Sequence, residues 1–391
     1  DSQTWFKVHS GRQTSGLVLD DARWGPQDYR YASDEQGLFL RHTVLWGAHR
    51  LSVGWERVDR DTVSAISDPG ITTPRTNAER YHMPWVAGEW RSGAWTWMAE
   101  AYWPRFTTRQ RDRYADTATG QDLLPAQDDG AAHRHRLLPR LGASLRLGPG
   151  RALHWAWQES VRAPGTHTLS PVATGAIAVD NQYLLAGSYA RKHAVQLDWE
   201  ASPTTFWGAS LSGQRISNLV AANGRLFAQN TGALFDNVAT IAPVVLNAQT
   251  TLNTYEETPL FGQGQLAQAT VSVNHLLGPR WSVLGSYIHT TSRNTGAGLE
   301  GRWLPGFARH VVLGQTTWRH EARSFSLLRL TWRGMRYSDE ANTVQRAPGW
   351  SLTLAHGWES QDRRWSFTGT VQTGLRTGER PTLWALVRYR D

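Results

Sequence analysis

The sequence predicts an all-β protein, a transmembrane antiparallel β-barrel of about sixteen strands with short turns at one rim and long loops at the other. Three observations predict it. Apolar residues fall on alternate positions over stretches of roughly nine to thirteen residues. Those stretches are joined by tight turns alternating with long polar segments, and tryptophan, 21 of 391 residues, crowds along them. Such rings form the aromatic girdles of outer-membrane barrels.

In chain order, strands are expected near 3–13, 37–47, 50–60, 80–91, 94–105, 136–147, 151–162 and 187–200. They continue near 204–216, 264–277, 280–292, 309–320, 323–336, 349–359, 362–373 and 379–390. The period of two is plain where Leu51, Val53 and Trp55 alternate with Ser52, Gly54 and Glu56. Trp95, Trp97, Ala99, Ala101 and Trp103 alternate with Thr96, Met98, Glu100 and Tyr102, and Leu328, Leu330 and Trp332 with Arg329, Thr331 and Arg333. Arginine on alternate strand positions would ruin a packed core, whereas it suits one face on a watery lumen and the other on lipid.

Turn chemistry sets the topology. Gly47-Ala48-His49, Ser92-Gly93, Gly148-Pro149-Gly150, Ser202-Pro203 and Gly278-Pro279 supply the residues a sharp reversal needs, and are expected at the periplasmic rim. Long segments near 14–36, 61–79, 106–135, 163–186, 217–263, 293–308 and 337–348, with a short one at 374–378, are expected on the outer side. An even strand count leaves both termini periplasmic.

A pattern that runs from end to end without a linker predicts a single outer-membrane domain over residues 1–391, as a mature protein or the C-terminal part of a longer one, because Asp1 to Arg12 already reads as strand and not as a signal peptide. Mean hydropathy of -0.48 is compatible with a barrel, in which only alternate residues need be apolar. The longest uncharged run, near 237–255, is rich in Asn, Gln and Thr and broken by Pro243, so no transmembrane helix is expected. The absence of cysteine excludes disulfides and thiol chemistry. The net charge of +8 rests on arginine, with Lys7 and Lys192 the only lysines. Guanidinium groups suit lipopolysaccharide phosphates outside or an anionic solute inside, while their dispersal along strands argues against a nucleic-acid partner.

Two loops differ from the rest. Residues 106–135 are dense in charge, including Arg109, Arg111, Asp112, Arg113, Asp116, Asp122, Asp128 and Asp129, and are expected to be a solvated surface loop, with ion-pair cross-linking or divalent-cation binding as further readings. Residues 217–263 carry Phe235, Ile241, Val244 and Val245, apolar surface that needs a partner, and are expected to enter the barrel mouth as a constriction.

No soluble-enzyme motif is present: there is no H-E-x-x-H, no phosphate-binding glycine loop with its lysine and no G-x-S-x-G. His133 and His135 flank Arg134 without a third ligand in the pattern, and His82, His193, His289 and His310 near strand ends fall into no particular constellation. A protein without catalytic residues, metal or cofactor is expected.

The run Pro139-Arg140-Leu141-Gly142-Ala143-Ser144-Leu145, then Trp155-Ala156-Trp157-Gln158-Glu159-Ser160-Val161-Arg162-Ala163-Pro164, resembles consecutive strands of TonB-dependent receptor barrels. So does Pro279-Arg280-Trp281-Ser282-Val283-Leu284-Gly285-Ser286-Tyr287. Such a receptor needs about 22 strands and an N-terminal plug with its energy-coupling box, which does not fit this chain. In architecture the whole chain is more similar to the C-terminal barrels of TPR-containing envelope proteins, exporters of poly-N-acetylglucosamine or cellulose and phage-adsorption proteins. That resemblance implies a periplasmic TPR region or export machinery as partner.

A barrel of this size encloses an aqueous channel unless loops fill it. The expected function is therefore passage of a polar molecule through the bacterial outer membrane, foremost an exopolysaccharide on export. The predicted pore lining is Arg41, Glu100, Tyr102, Arg140, Arg146, Asp198, Arg329, Arg333, Trp384 and Arg388. A general or solute-selective porin is the second reading, and a surface adhesin or phage receptor anchored by the barrel the third.

Overall fold

The computed structural model describes residues 1–21, 25–67, 70–164, 168–179, 186–219, 261–321, 323–374 and 382–389. The first strands are β1 (Ser2–Asp21), β2 (Gly25–Trp46), β3 (His49–Ser67), β4 (Ile71–Ser92), β5 (Trp95–Tyr102), β6 (Arg105–Asp116), β7 (Asp122–His135), β8 (Leu138–Gly148) and β9 (Arg151–Val161). A small hairpin, β10 (Ala173–Thr174) and β11 (Ile177–Ala178), follows. The wall resumes with β12 (Tyr189–Ser202), β13 (Thr205–Ser217), β14 (Gln263–Leu276), β15 (Trp281–Asn294), β16 (His310–Glu321) and β17 (Ser324–Arg333). After a second small hairpin, β18 (Arg336–Tyr337) and β19 (Gln345–Arg346), it ends with β20 (Gly349–Glu359), β21 (Trp365–Gly374) and β22 (Thr382–Tyr389).

Eighteen of these strands form one antiparallel sheet in which chain neighbours pair. Two passes are broken in the middle, since β4 pairs with both β5 and β6, while β7 pairs with β6 and β8 with β5. Counting each broken pass once leaves the sixteen expected. Among the described residues β1 and β22 are the two ends of the sheet.

Lipid dictates the parity of each strand. On β3, Leu51 and Val53 are exposed while Ser52 and Glu56 are each 2% exposed. On β5, Trp95 and Trp97 are exposed while Glu100 and Tyr102 are buried. Residues opposite each other in a ladder share a face, so Trp55 stands across from Leu40 outside, and Glu56 across from Phe39 inside. The tight turns fall where glycine permits them, with Gly47 and Gly93 at φ of 57° and 58°.

The outer segments correct the sequence reading. Residues 14–36, 61–79 and 106–135 are largely strand rather than loop, so that β1 to β4 run for 19 to 22 residues. Crossing takes about 9–11 residues, and the rest of each strand stands beyond the membrane. These extensions are mostly polar with scattered exposed apolar residues such as Val63 and Ile71, so hydropathy has no period there, yet period-two burial persists among polar groups. Asn77 and Glu79 on β4 and Thr108, Gln110 and Asp112 on β6 are all buried. Arg75 grips Asp112 through two bonds of 2.6 and 2.7 Å, and Thr108 donates to Asn77 at 2.7 Å. Arg60 bonds Glu35, Arg80 bonds Asp61 and Arg113 bonds Asp122. Within 106–135, Asp112 and the Arg113–Asp122 pair are thus used in cross-strand pairing, while Asp116 caps the turn through Ala118 and Thr119. His135 accepts the Trp103 indole N–H at the break between β5 and β6.

Candidate functional site in the lumen

The inner face is not polar throughout. Phe39 and Val58 from β2 and β3, Tyr81 and Trp85 from β4, Tyr102 from β5 and Phe106 from β6 form one buried apolar cluster. An apolar patch inside a channel needs a cover, since burying each large side chain is worth about 1.5–3 kcal/mol. The chain between β9 and β12 supplies it: Ala163, Leu169 and Ala186 pack against the cluster, joined by Tyr189 at the start of β12.

Residues 168–178 of that connection are laid across the inner wall and tied strand by strand. Glu56 accepts from the Thr168 hydroxyl at 2.6 Å and from the backbone N–H groups of Leu169 and Ser170 at 2.8 and 2.7 Å. Arg41 reaches the Leu169 carbonyl at 3.5 Å. Glu100 accepts from Tyr102 at 2.6 Å and from Thr174 at 3.1 Å. Arg140 lies 3.8 Å from the Tyr102 ring centroid and 3.7 Å from the Glu100 carboxylate, and donates to the Pro171 carbonyl at 3.2 Å. Gln158 donates to the Ile177 carbonyl at 2.8 Å, and Ile177 packs between Ala156 and Ala194.

Close approach here requires glycine on both sides. A Cβ at Gly142 of β8 would stand 2.5 Å from the Gly175 nitrogen, and Gly175, at φ of 58°, makes the turn of the β10–β11 hairpin. Backbone therefore rests directly on wall. The Gly175 N–H points at the Met98 sulfur, 3.0 Å away.

The opposite half of the lumen has a different chemistry. Many of its inward positions are hydroxyls and amides, among them Ser210, Thr270, Ser286, Gln315, Thr353 and Thr370 on β13 to β16, β20 and β21, interrupted by a buried apolar cluster of Ile288, Val311 and Leu313 and by Arg329 and Arg333 on β17. Gln268 donates to Thr290 at 3.3 Å, and Arg329 donates twice to Gln315 at 2.9 and 2.7 Å. At the outer mouth, Phe261, Leu304 and Phe307 pack with Ala190, Ile216 and Leu266 as a second buried cluster.

The structure brings four of the expected lining residues together: Arg41, Glu100, Tyr102 and Arg140 all lie on the inner wall beneath the 168–178 segment. Their groups hold that segment rather than standing open to the channel. Arg329 and Arg333 are inward and buried on β17. Asp198 is inward on β12, taking bonds from Gln196, and Arg146 reaches the Gly93 carbonyl at the turn end. The ladder sets Trp384 opposite Thr370 and Arg388 opposite Ser366, their side chains lying outside the described residues. Phe235, Ile241, Val244 and Val245 also lie outside them. The inward segment that the structure does show, 168–178, was expected as an outer loop. Its signal in the sequence is faint, a Gly175 turn between small residues after Pro171.

No family model matches the sequence, and no curated protein matches it. Solved structures do. The chain resembles the ferric yersiniabactin uptake receptor FyuA from Yersinia pestis, with a TM-score of 0.58 at 11% identity, over 98% of this chain and 57% of that one. It also resembles the siderophore receptor PiuA from Acinetobacter baumannii (TM-score 0.56, 10% identity, 99% of this chain and 62% of that one). The ferric citrate transporter FecA gives a TM-score of 0.55 at 11% identity, over 99% and 57% of the two chains. The chain thus spans about 60% of the length of these receptors. At such identities the likeness is one of fold: this is an all-β barrel wall of the bacterial outer-membrane class, similar to TonB-dependent receptor barrels.

Proposed function

We propose that the chain forms an outer-membrane conduit for a polar, polyhydroxylated molecule. The observation that carries this reading is the division of the lumen into two halves. One half carries an inward segment laid on the wall and fixed by Glu56, Glu100 and Arg140. The other is rich in hydroxyls and amides able to exchange hydrogen bonds with a passing solute, with Arg329 and Arg333 as its arginines on β17 and an apolar stretch at Ile288, Val311 and Leu313. Many weak contacts allow passage, whereas one tight site would hold the solute. On this reading the protein moves its solute and does not transform it.

Within that class an exopolysaccharide on its way out is the passenger we favour, because a sugar chain presents hydroxyls along its whole length to such a wall. A partner that delivers the polymer from the periplasm, a TPR region or other export machinery, belongs to the same reading. A compact metal chelate entering the cell is the second reading, favoured by the fold shared with receptors named for ferric siderophores and ferric citrate. Liposome swelling distinguishes them. Proteoliposomes should admit neutral oligosaccharides faster than charged solutes of equal size. Exclusion of all neutral sugars would refute the hydroxyl-lined path.

A further inference from the structure

Arg191, Arg215, Gln265 and Arg293 stand directly opposite one another across β12, β13, β14 and β15. Their parity is that of the exposed Val195, Leu211, Val271 and Tyr287, so the row is on the outside of the barrel. Three strand spacings make it about 14 Å wide. The loop after β15 closes over one side with Trp303 and Arg309, the guanidinium of Arg309 lying 4.8 Å from the Trp303 ring centroid. Row and loop together line a cavity of about 670 Å³ with no aspartate or glutamate in its lining. The next acid along the row, Glu159 opposite Arg191, is already held by Arg136 at 3.7 Å. Guanidinium groups gathered without a carboxylate in the cavity call for an external anion, and their forked donors match phosphate.

Directly beneath, toward the turn end of the same strands, a second cavity of about 370 Å³ shares His193, Gly213, Ala267 and Thr291 with the first. It runs down between Val195, Leu211 and Ala269 and is mostly apolar. Small residues on β13 and β14 make its floor. Eight residues below the arginine row stand Trp199 and Trp207, facing each other across the ladder near the turns. That is about 26 Å along the strands, or about 20 Å vertically for strands tilted near 40°, against an apolar belt about 25 Å tall. The arginine row therefore sits within about 5 Å of the outer edge of that belt, from where guanidinium groups reach the headgroups of the outer leaflet, and the groove lies below it in the hydrocarbon.

We infer that this outer wall binds a phosphorylated glycolipid of the outer leaflet, its phosphate among Arg191, Arg215 and Arg293 and an acyl chain in the groove over Gly213, Ala267 and Ala269. The site is independent of what the lumen carries. The test is native mass spectrometry of the purified chain titrated with lipid A, with dephosphorylated lipid A and with inorganic phosphate as competitor. Wild-type protein should hold one lipid A. Replacing the row together (R191Q, R215Q, R293Q) should weaken that binding about tenfold or more, as should removing the phosphates from the lipid. Gly213→Leu, at a position with open space around a Cβ, should weaken it by filling the groove while the arginines stay in place. Heat-modifiable migration on gels verifies that each variant is folded, and single R215Q serves if the triple variant is not. Equal lipid binding by wild type and a folded arginine variant would overturn the site. Displacement of lipid A by millimolar inorganic phosphate would overturn the lipid and leave a free-anion pocket.

Discussion

Glu56 and Thr168, 112 positions apart in the chain, meet at 2.6 Å inside the barrel, where the β3 carboxylate also takes the N–H groups of Leu169 and Ser170. One side chain thereby caps three donors at the start of the inward segment. Hydrogen bonds to a charged acceptor contribute about 1.5–3 kcal/mol each. Glu56→Ala should leave the wall assembled, because Glu56 makes no wall ladder through its side chain, but should free the segment. We expect greater and noisier conductance in planar bilayers and faster protease cleavage near residue 170 from the outside. Cleavage at the wild-type rate would show that the apolar cover, not Glu56, fixes it.

The parity of the wall is open to direct measurement. Spin labels at Leu51, Val53, Trp95 and Trp97 should report contact with lipid, and labels at Ser52 and Arg329 should not. Arginine at Val53 should cost about 2–4 kcal/mol if that position lies near the midplane, read as a lower urea midpoint for unfolding from vesicles. A reversed labelling pattern would mean that the wall is inside out.

Asp112 is fully buried in the extension beyond the membrane, gripped by Arg75. Removing one partner of such a pair costs about 3–5 kcal/mol because the other charge is left buried. Arg75→Ala should therefore loosen the β4–β6–β7 extension locally, seen as new proteolytic sites between residues 70 and 135 with the membrane-embedded barrel intact. A uniform loss of barrel stability instead would mean that the extension and wall fold as one cooperative unit.

Both ends of the sheet carry exposed apolar residues, Phe6 and Val8 on β1 and Leu383 and Val387 on β22. An open sheet edge does not persist in hydrocarbon, where each unpaired backbone group costs several kcal/mol. In the membrane β1 and β22 should pair with each other. The chain has no cysteine, so paired cysteines scanned along Thr4 to Val8 and Leu383 to Val387 give a clean readout. Intramolecular cross-links at alternate positions are expected. Cross-links only between molecules would place the two edges in an assembly.

The wall was legible in the sequence because lipid enforces a hydropathic period of two. Leu51 and Ser52, or Leu330 and Arg329, announce their faces by chemistry alone. The extensions were illegible for the converse reason: Arg75, Asn77 and Glu79 alternate in burial with residues just as polar, and only their partners on β6 reveal it. The inward segment was illegible because its anchors are scattered over β2, β3, β5, β8 and β9. Glu100, Tyr102 and Arg140 share the inner parity of their strands, yet nothing local to them shows that a hairpin more than thirty residues further on covers them.

Residues 168–178 lie along the inner wall of β2, β3, β5, β8 and β9 and narrow the lumen on that side. Replacing that segment with a short Gly-Ser link, the flanking strands kept, and recording single-channel conductance tests this narrowing most directly. A folded barrel whose conductance rises several-fold over wild type is the predicted result. Conductance equal to wild type in a correctly inserted barrel would contradict it.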